Sequence, residues 1–178
     1  MAARSTMATL IAYARTLIND VAAPQTLTDD QIQTRLDLNR FDVYTKELRF
    51  PDIIDTTGTV VWTDFFADRP FWEDGYLLQG PNWGIVVPST SDPMVGKWTF
   101  ATTQQTPIYI SGKVYDMYGA CAQLLTVIEG TLRATMNFSA DGLSVQRLDQ
   151  LANIRELRSQ YAKQGWIRNV KLVRRDMR

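Results

Sequence analysis

The chain has 178 residues, 45% hydrophobic and 21% charged, with a formal net charge of zero; this is the composition of a globular protein and excludes a disordered one. It contains no histidine and a single cysteine, Cys121. That excludes Ser-His-Asp and Cys-His catalysis, leaves zinc only an unusual ligand set, and rules out an intrachain disulfide.

Residues 3–19 predict a helix, because Met7, Leu10, Ile11, Ala14, Leu17 and Ile18 recur at three- and four-residue spacing. Pro24 closes this segment. LTDDQIQTRLDLNR, residues 27–40, predicts a second helix with a strong start signal. Thr28 and Gln31 form a capping box, and Leu27 and Ile32 stand where a hydrophobic staple needs them. Asp29 and Asp30 favour the positive end of the helix dipole. Ile32 and Leu36 are expected to face inward.

From 41 to 110 the pattern changes to short β-forming runs: FDVYTKELRF, TVVWTDFF, GYLLQG, WGIVVP, KWTFATT and PIYIS. Pro, Gly, Asp and Asn separate them, and PSTSDP reads as a turn. Five to seven short strands are expected here. Trp62, Trp72, Trp83 and Trp98 all fall in this region. They either fill the core of a small β-layer, the reading we take, or form a sugar-stacking platform.

Residues 111–133 predict a long, mostly buried helix. Val114, Met117, Tyr118, Cys121, Leu124, Leu125, Ile128 and Leu132 lie on its apolar face, and Gly119, Ala120 and Ala122 permit close helix approach. Cys121 sits within that face and reads as core. Asp141-Gly142 marks a turn and Ser144 a helix N-cap. A last helix is expected over 145–163, with Leu148, Leu151, Ile154, Leu157 and Tyr161 inward and Gly165 ending it.

The fold class expected is therefore α+β. Residues 1–40 and 111–164 supply a small helical bundle, 41–110 a β-rich insertion between its second and third helices, and 165–178 an extended tail. No apolar run approaches the ~20 residues of a membrane span, and Arg15 interrupts any signal-peptide core; a cytosolic protein at synthesis is expected. The Asn137-Phe138-Ser139 sequon then reads as chance. Gly75, Gly80 and Gly84 lack phosphate-loop spacing. Glu73-Asp74 or Asp52 with Asp55 could in principle do acid/base work, but no enzymatic activity, cofactor or metal is expected.

Three stretches together resemble the head-to-tail connector proteins of tailed bacteriophages, the adaptors that attach beneath the portal. They are LTDDQIQTRLDLNR, then SDPMVGKWTF with PIYISGKVYDMYGACAQLL, and finally FSADGLSVQRLDQL with its turn before the last helix. The resemblance covers most of the chain. It implies a homo-oligomeric ring, typically dodecameric, in the virion neck, assembled in the host cytoplasm. One side binds the portal protein and the other a head-completion (stopper) or tail protein. Double-stranded DNA passes through the lumen without sequence-specific binding. A stopper or tail-completion protein is the neighbouring alternative, and a tryptophan-rich carbohydrate-binding module the alternative from another class.

Charge is unevenly distributed. Residues 147–178 hold nine Lys/Arg against three Asp/Glu, leaving ten against sixteen in the remainder. Within the tail, Trp166, Val170, Val173 and Met177 would share one narrow helical face, with Arg168, Lys171, Arg174, Arg175 and Arg178 towards the other side. Ile167, Val170 and Val173 are modest helix formers, so the tail is expected to order only on a partner. Five cations suit phosphate contacts and Trp with Arg suits a membrane surface. Docking into a groove on a protein uses both the stripe and the basic rim. We therefore expect Trp166, Ile167, Arg168, Val170, Lys171, Val173, Arg174, Arg175, Met177 and Arg178 to be a portal-docking tail, with no membrane contact. Asp37, Asp42, Asp52 and Asp55 are candidates for an acidic channel lining.

Overall fold

The computed structural model describes residues 3–21, 25–54, 56–136 and 144–166. Helices and strands are mixed, which establishes the α+β class. A 3-10 turn at Ser5–Met7 leads into α1 (Ala8–Leu17), followed by α2 (Asp29–Leu38), α3 (Met117–Met136) and α4 (Ser144–Gln164). Between α2 and α3 run β1 (Arg40–Glu47), β2 (Ile53–Ile54), β3 (Val60–Val61), β4 (Asp64–Phe66), β5 (Leu77–Gln79), β6 (Thr90–Asp92), β7 (Lys97–Thr99) and β8 (Tyr109–Tyr115).

The start of α2 follows its local code. Thr28 Oγ1 accepts from the Gln31 N–H and Gln31 Oε1 accepts from the Thr28 N–H, a reciprocal capping box. Leu27, Ile32 and Leu36 are buried. Arg15, which interrupts the apolar run of α1, is itself buried. It bonds Asp20 at 2.9 Å, Asp29 at 2.6 Å and the Leu27 carbonyl at 2.9 Å, tying the α1–α2 connection together.

Several elements differ from expectation, and among the described residues eight strands form where five to seven short ones were expected. Residues 111–115 belong to β8, not to the following helix, which begins at Met117. The segment SGKVY satisfies a period of two as well as a helical spacing, and pairing with β1 and β5 decides the matter. PSTSDP is not wholly a turn: Thr90–Asp92 pairs with β7 as an exposed edge strand, and the turn is Pro93–Gly96. WGIVVP, conversely, forms only a single bridge, Gln79 to Ile85.

The strands make two three-stranded sheets, β1-β8-β5 and β4-β7-β6, and a β2–β3 hairpin. Alternation along β8 joins two cores. Ile110 and Val114 point into a sheet core with Leu48, Phe65, Trp72, Leu78, Trp98 and Phe100. Tyr115 points the other way, into a helical core with Met7, Leu10, Ile32, Leu36, Met117, Cys121 and Leu124. Trp72 and Trp98 are buried and Trp62 is half-buried, whereas Trp83 is 56% exposed. Cys121 is fully buried, and burial pushes its thiol up to about 12, so it is an inert core residue. α4 packs against the helical core through Ile154, Leu157 and Tyr161, with Leu151 also buried, and Glu129 of α3 fastens it by accepting from Arg155 and Arg158 as well as Arg133.

The N-terminal segment is held by charge. The Arg4 guanidinium forks onto Asp37 at 3.0 and 2.7 Å and reaches Glu73 at 3.1 Å. The nearly buried Glu73 also accepts from Thr6 and Tyr115. Burial pushes the Glu73 carboxyl up, but hydrogen bonds from Thr6, Tyr115 and Arg4 outweigh it and hold the group below its ordinary range. A carboxyl held low in the folded chain adds stability above its unfolded value of about 4.3. That contribution vanishes as pH falls through the folded value. Glu73→Gln is therefore expected to destabilise the protein at pH 7. It should also lose less further stability than the wild type between about pH 5 and pH 3, read as the urea unfolding midpoint. An identical pH slope in both proteins would contradict this assignment.

Candidate interaction site

The tail was the candidate from sequence, and of its ten residues Trp166 is described. Ile167, Arg168, Val170, Lys171, Val173, Arg174, Arg175, Met177 and Arg178 lie outside the described residues, as do Pro24, the Asp141-Gly142 turn and Asp55. α4 ends at Gln164, and the Gly165 N–H bonds the Tyr161 carbonyl at 2.9 Å.

Trp166 is half-buried against this chain's own body. Its backbone N–H donates to Asp116 Oδ2 at 2.7 Å. Asp116, fully buried between β8 and α3, directs its other oxygen at the Gly119 N–H at 3.0 Å, which caps α3. The Asp116 N–H in turn donates to the Asn39 carbonyl at the end of α2, at 2.9 Å. The Asn39 side chain bridges onward, donating to the Arg35 carbonyl and accepting from Gln123. Asp116 thus joins the segment after α4 to the start of α3 through its carboxylate, and the end of α2 to both through its backbone N–H.

This arrangement explains two glycines. A Cβ at Gly119 would stand 2.5 Å from Asp116 Oδ2, and one at Gly165 would stand 3.2 Å from the Gly119 Cα. The small residues of α3 therefore admit the chain that follows α4.

The Trp166 indole packs 6.3 Å from the Phe41 ring, and the Arg69 guanidinium lies 5.1 Å from the centroids of both rings. Such contacts contribute about 0.5–1 kcal/mol at exposed sites. Phe41 and Arg69 also line a groove of about 430 Å³ with Val43, Tyr44, Ala67 and Trp72. The carboxylates at its edge are engaged: Asp42 with Arg40 at 3.2 Å, and Asp68 with Arg49 at 2.6 Å and Lys46 at 3.4 Å. Tyr44, 78% exposed, stands at the mouth beside a bulge in β1, where the Thr45 φ of 47° is unusual for a β-branched residue.

A second surface was not singled out by the sequence as an apolar patch. Residues 78–86 form a hairpin: the Val86 N–H bonds the Leu78 carbonyl at 3.0 Å and the Gly80 N–H bonds the Gly84 carbonyl at 2.9 Å. At its tip Trp83 takes a left-handed φ of 60°, which costs on the order of 1–2 kcal/mol. Its ring stacks on Tyr109, 5.2 Å between centroids and 14° between planes. Ile85 and Val87 alternate with the half-buried Val86 and are exposed, at 70% and 80%. In the sequence these residues appear only as a short apolar run, Ile85-Val86-Val87, which does not say which of them face outward.

The remaining polar candidates are occupied within the fold. Asp37 is held by Arg4, and Asp52 accepts from the Trp62 indole at 2.9 Å. Among the described residues no cluster of three or more acidic or cysteine groups is placed to hold a metal, and no helix is long and apolar enough to cross a membrane. No protein-family model, curated protein or solved structure gives a significant match to the chain.

Gly119→Ala is expected to lower stability by roughly 1–3 kcal/mol, the cost of forcing a methyl group into a filled site. Gly130→Ala, in the same helix but with nothing within 4 Å of the added Cβ, should instead raise it by up to about 1 kcal/mol. Urea denaturation of the two variants reads both signs.

Proposed function

We propose that the chain is a structural head-to-tail connector adaptor of a tailed bacteriophage, a ring subunit that binds beneath the portal and joins it to the neck. On this reading the four helices are its bundle and the strand-rich segment is the insertion. The basic segment after Gly165 is the arm that reaches the portal. The ring belongs to the virion neck and assembles in the host cytoplasm, and packaged DNA slides through a lumen that does not grip it. The work is positional and no chemistry is assigned.

The observation that carries this reading is the Asp116–Trp166 anchor. An arm that docks on a partner needs a fixed root, and here the root is a buried carboxylate, two mutually fitted glycines and a ring held by Arg69. Trp166 then belongs to the root, and the apolar contacts offered to the portal fall to Val170, Val173 and Met177. A fixed root also limits the ordering cost of the arm, and a ring of docked arms gains strength from effective concentration. A stopper protein would share this architecture, with a different neighbour above it.

Co-sedimentation with the portal ring from the same source tests the proposal. The full chain should pellet with the portal, and a chain ending at Trp166, which retains the anchor, should not. Binding by neither chain rejects the portal assignment.

One observation favours the carbohydrate-binding reading, namely the exposed, flat Trp83–Tyr109 stack. Against it, the neighbours Ile85 and Val87 offer a sugar no hydrogen bonds. Oligosaccharide titration is expected to leave tryptophan fluorescence unchanged, and saturable quenching lost in Trp83→Ala would bring the module to the front.

A further inference from the structure

We infer that the 78–87 hairpin of one copy seats in the β1 groove of the next, making a head-to-tail contact between copies of this chain. The inference deepens the connector reading by naming the surfaces through which its ring would close.

Sheet geometry separates the two surfaces. β1 and β5 are the outer strands around β8. Phe41 pairs with Val114 and Val43 with Gly112, so the groove residues share the Ile110–Val114 face. Tyr109, under Trp83, lies on the opposite face, where Leu77 and Gln79 flank it. Hairpin and groove thus occupy opposite faces and opposite outer strands. A copy that inserts its hairpin leaves its own groove open for another, which is the condition for a heterologous contact that closes into a ring or runs on as a filament.

Charge identifies the occupant. Residues 79–89 contain no charged side chain, and the Asp42 and Asp68 carboxylates beside the groove are already neutralised by Arg40, Lys46 and Arg49. An uncharged insert leaves those pairs intact, whereas the basic tail or an acidic peptide would compete with them. The match in kind is apolar: Phe41, Val43 and Tyr44 on one side, where the Arg69 guanidinium lies over the Phe41 and Trp166 rings, and Trp83, Ile85 and Val87 on the other. A contact built on so few side chains falls short of the roughly 1,200–2,000 Å² of a stable interface, so pairs of free copies are expected to be short-lived and are best read by trapping.

Disulfide trapping serves because the one native cysteine, Cys121, is buried and its thiol is held neutral. Asn82→Cys at the hairpin tip and Thr45→Cys, exposed beside the groove mouth, prepared separately and mixed under mild oxidation, should give the mixed disulfide in several-fold excess over either homodimer. Adding Trp83→Ala and Ile85→Ser to the Asn82→Cys chain should abolish that excess. A statistical mixture overturns the contact, and a predominance of the Asn82→Cys homodimer replaces it with a two-fold hairpin–hairpin contact. The assay contains no portal. Failure here alongside successful portal co-sedimentation removes this interface but keeps the connector, and the reverse pair of results keeps the interface and removes the connector.

Discussion

The fold turns on the carboxylate of Asp116. It sits where β8 becomes α3, fully buried, and two of its hydrogen bonds are to backbone N–H groups that would otherwise lack partners: one in the first turn of α3, one just past the end of α4. A buried carboxylate is tolerated only when several donors converge on it. Here convergence leaves no room for a side chain at Gly119, where a Cβ would stand 2.5 Å from Asp116 Oδ2, and makes one tight at Gly165, where it would stand 3.2 Å from the crossing Gly119 Cα. The end of the last helix is therefore specified by a residue nearly fifty positions earlier.

The same device recurs at three other junctions. Arg15 holds the α1–α2 connection through Asp20 and Asp29, Glu73 and Asp37 hold the N-terminal segment through Arg4, and Glu129 holds α4 through Arg155 and Arg158. α4 shows why a polar clamp is needed: its sides are largely exposed, and its apolar contact runs along the narrow line of Ile154, Leu157 and Tyr161. Apolar burial of that width fixes which face of the helix turns inward but sets its axial position weakly. Glu129 sets the position by accepting from two arginines one turn apart.

What could be read from the sequence follows the range of the interactions. The capping box of α2 and the apolar stripes of α1 and α3 are local patterns, and each stands where its spacing puts it. The start of α3 was misplaced because SGKVY fits two periods and only the pairing of β8 with two other strands selects one. Thr90–Asp92 looked like a turn because its residues are small and polar, which is also what an exposed edge strand tolerates. The tail was legible as charge and spacing, but not that Trp166 belongs to the body. That depends on Asp116, Arg69 and Phe41, each distant in sequence.

The charge asymmetry of the sequence divides once the fold is known. Arg155 and Arg158 lie in the basic C-terminal portion but face Glu129, so their charge is used inside the body. Seven of the nine Lys/Arg of residues 147–178 remain, and the proposed outward-acting segment after Gly165 draws on five of them: Arg168, Lys171, Arg174, Arg175 and Arg178. The contact proposed between copies is built instead from uncharged residues. On the proposed connector reading, a subunit that binds its own kind sideways and a different protein end-on would need two surfaces that do not substitute for one another. An apolar hairpin gains little from a charged partner face, and a basic arm gains little from a groove whose carboxylates are already paired. Each proposed contact would therefore disfavour the other's partner, and the separation would follow from side-chain chemistry rather than from distance.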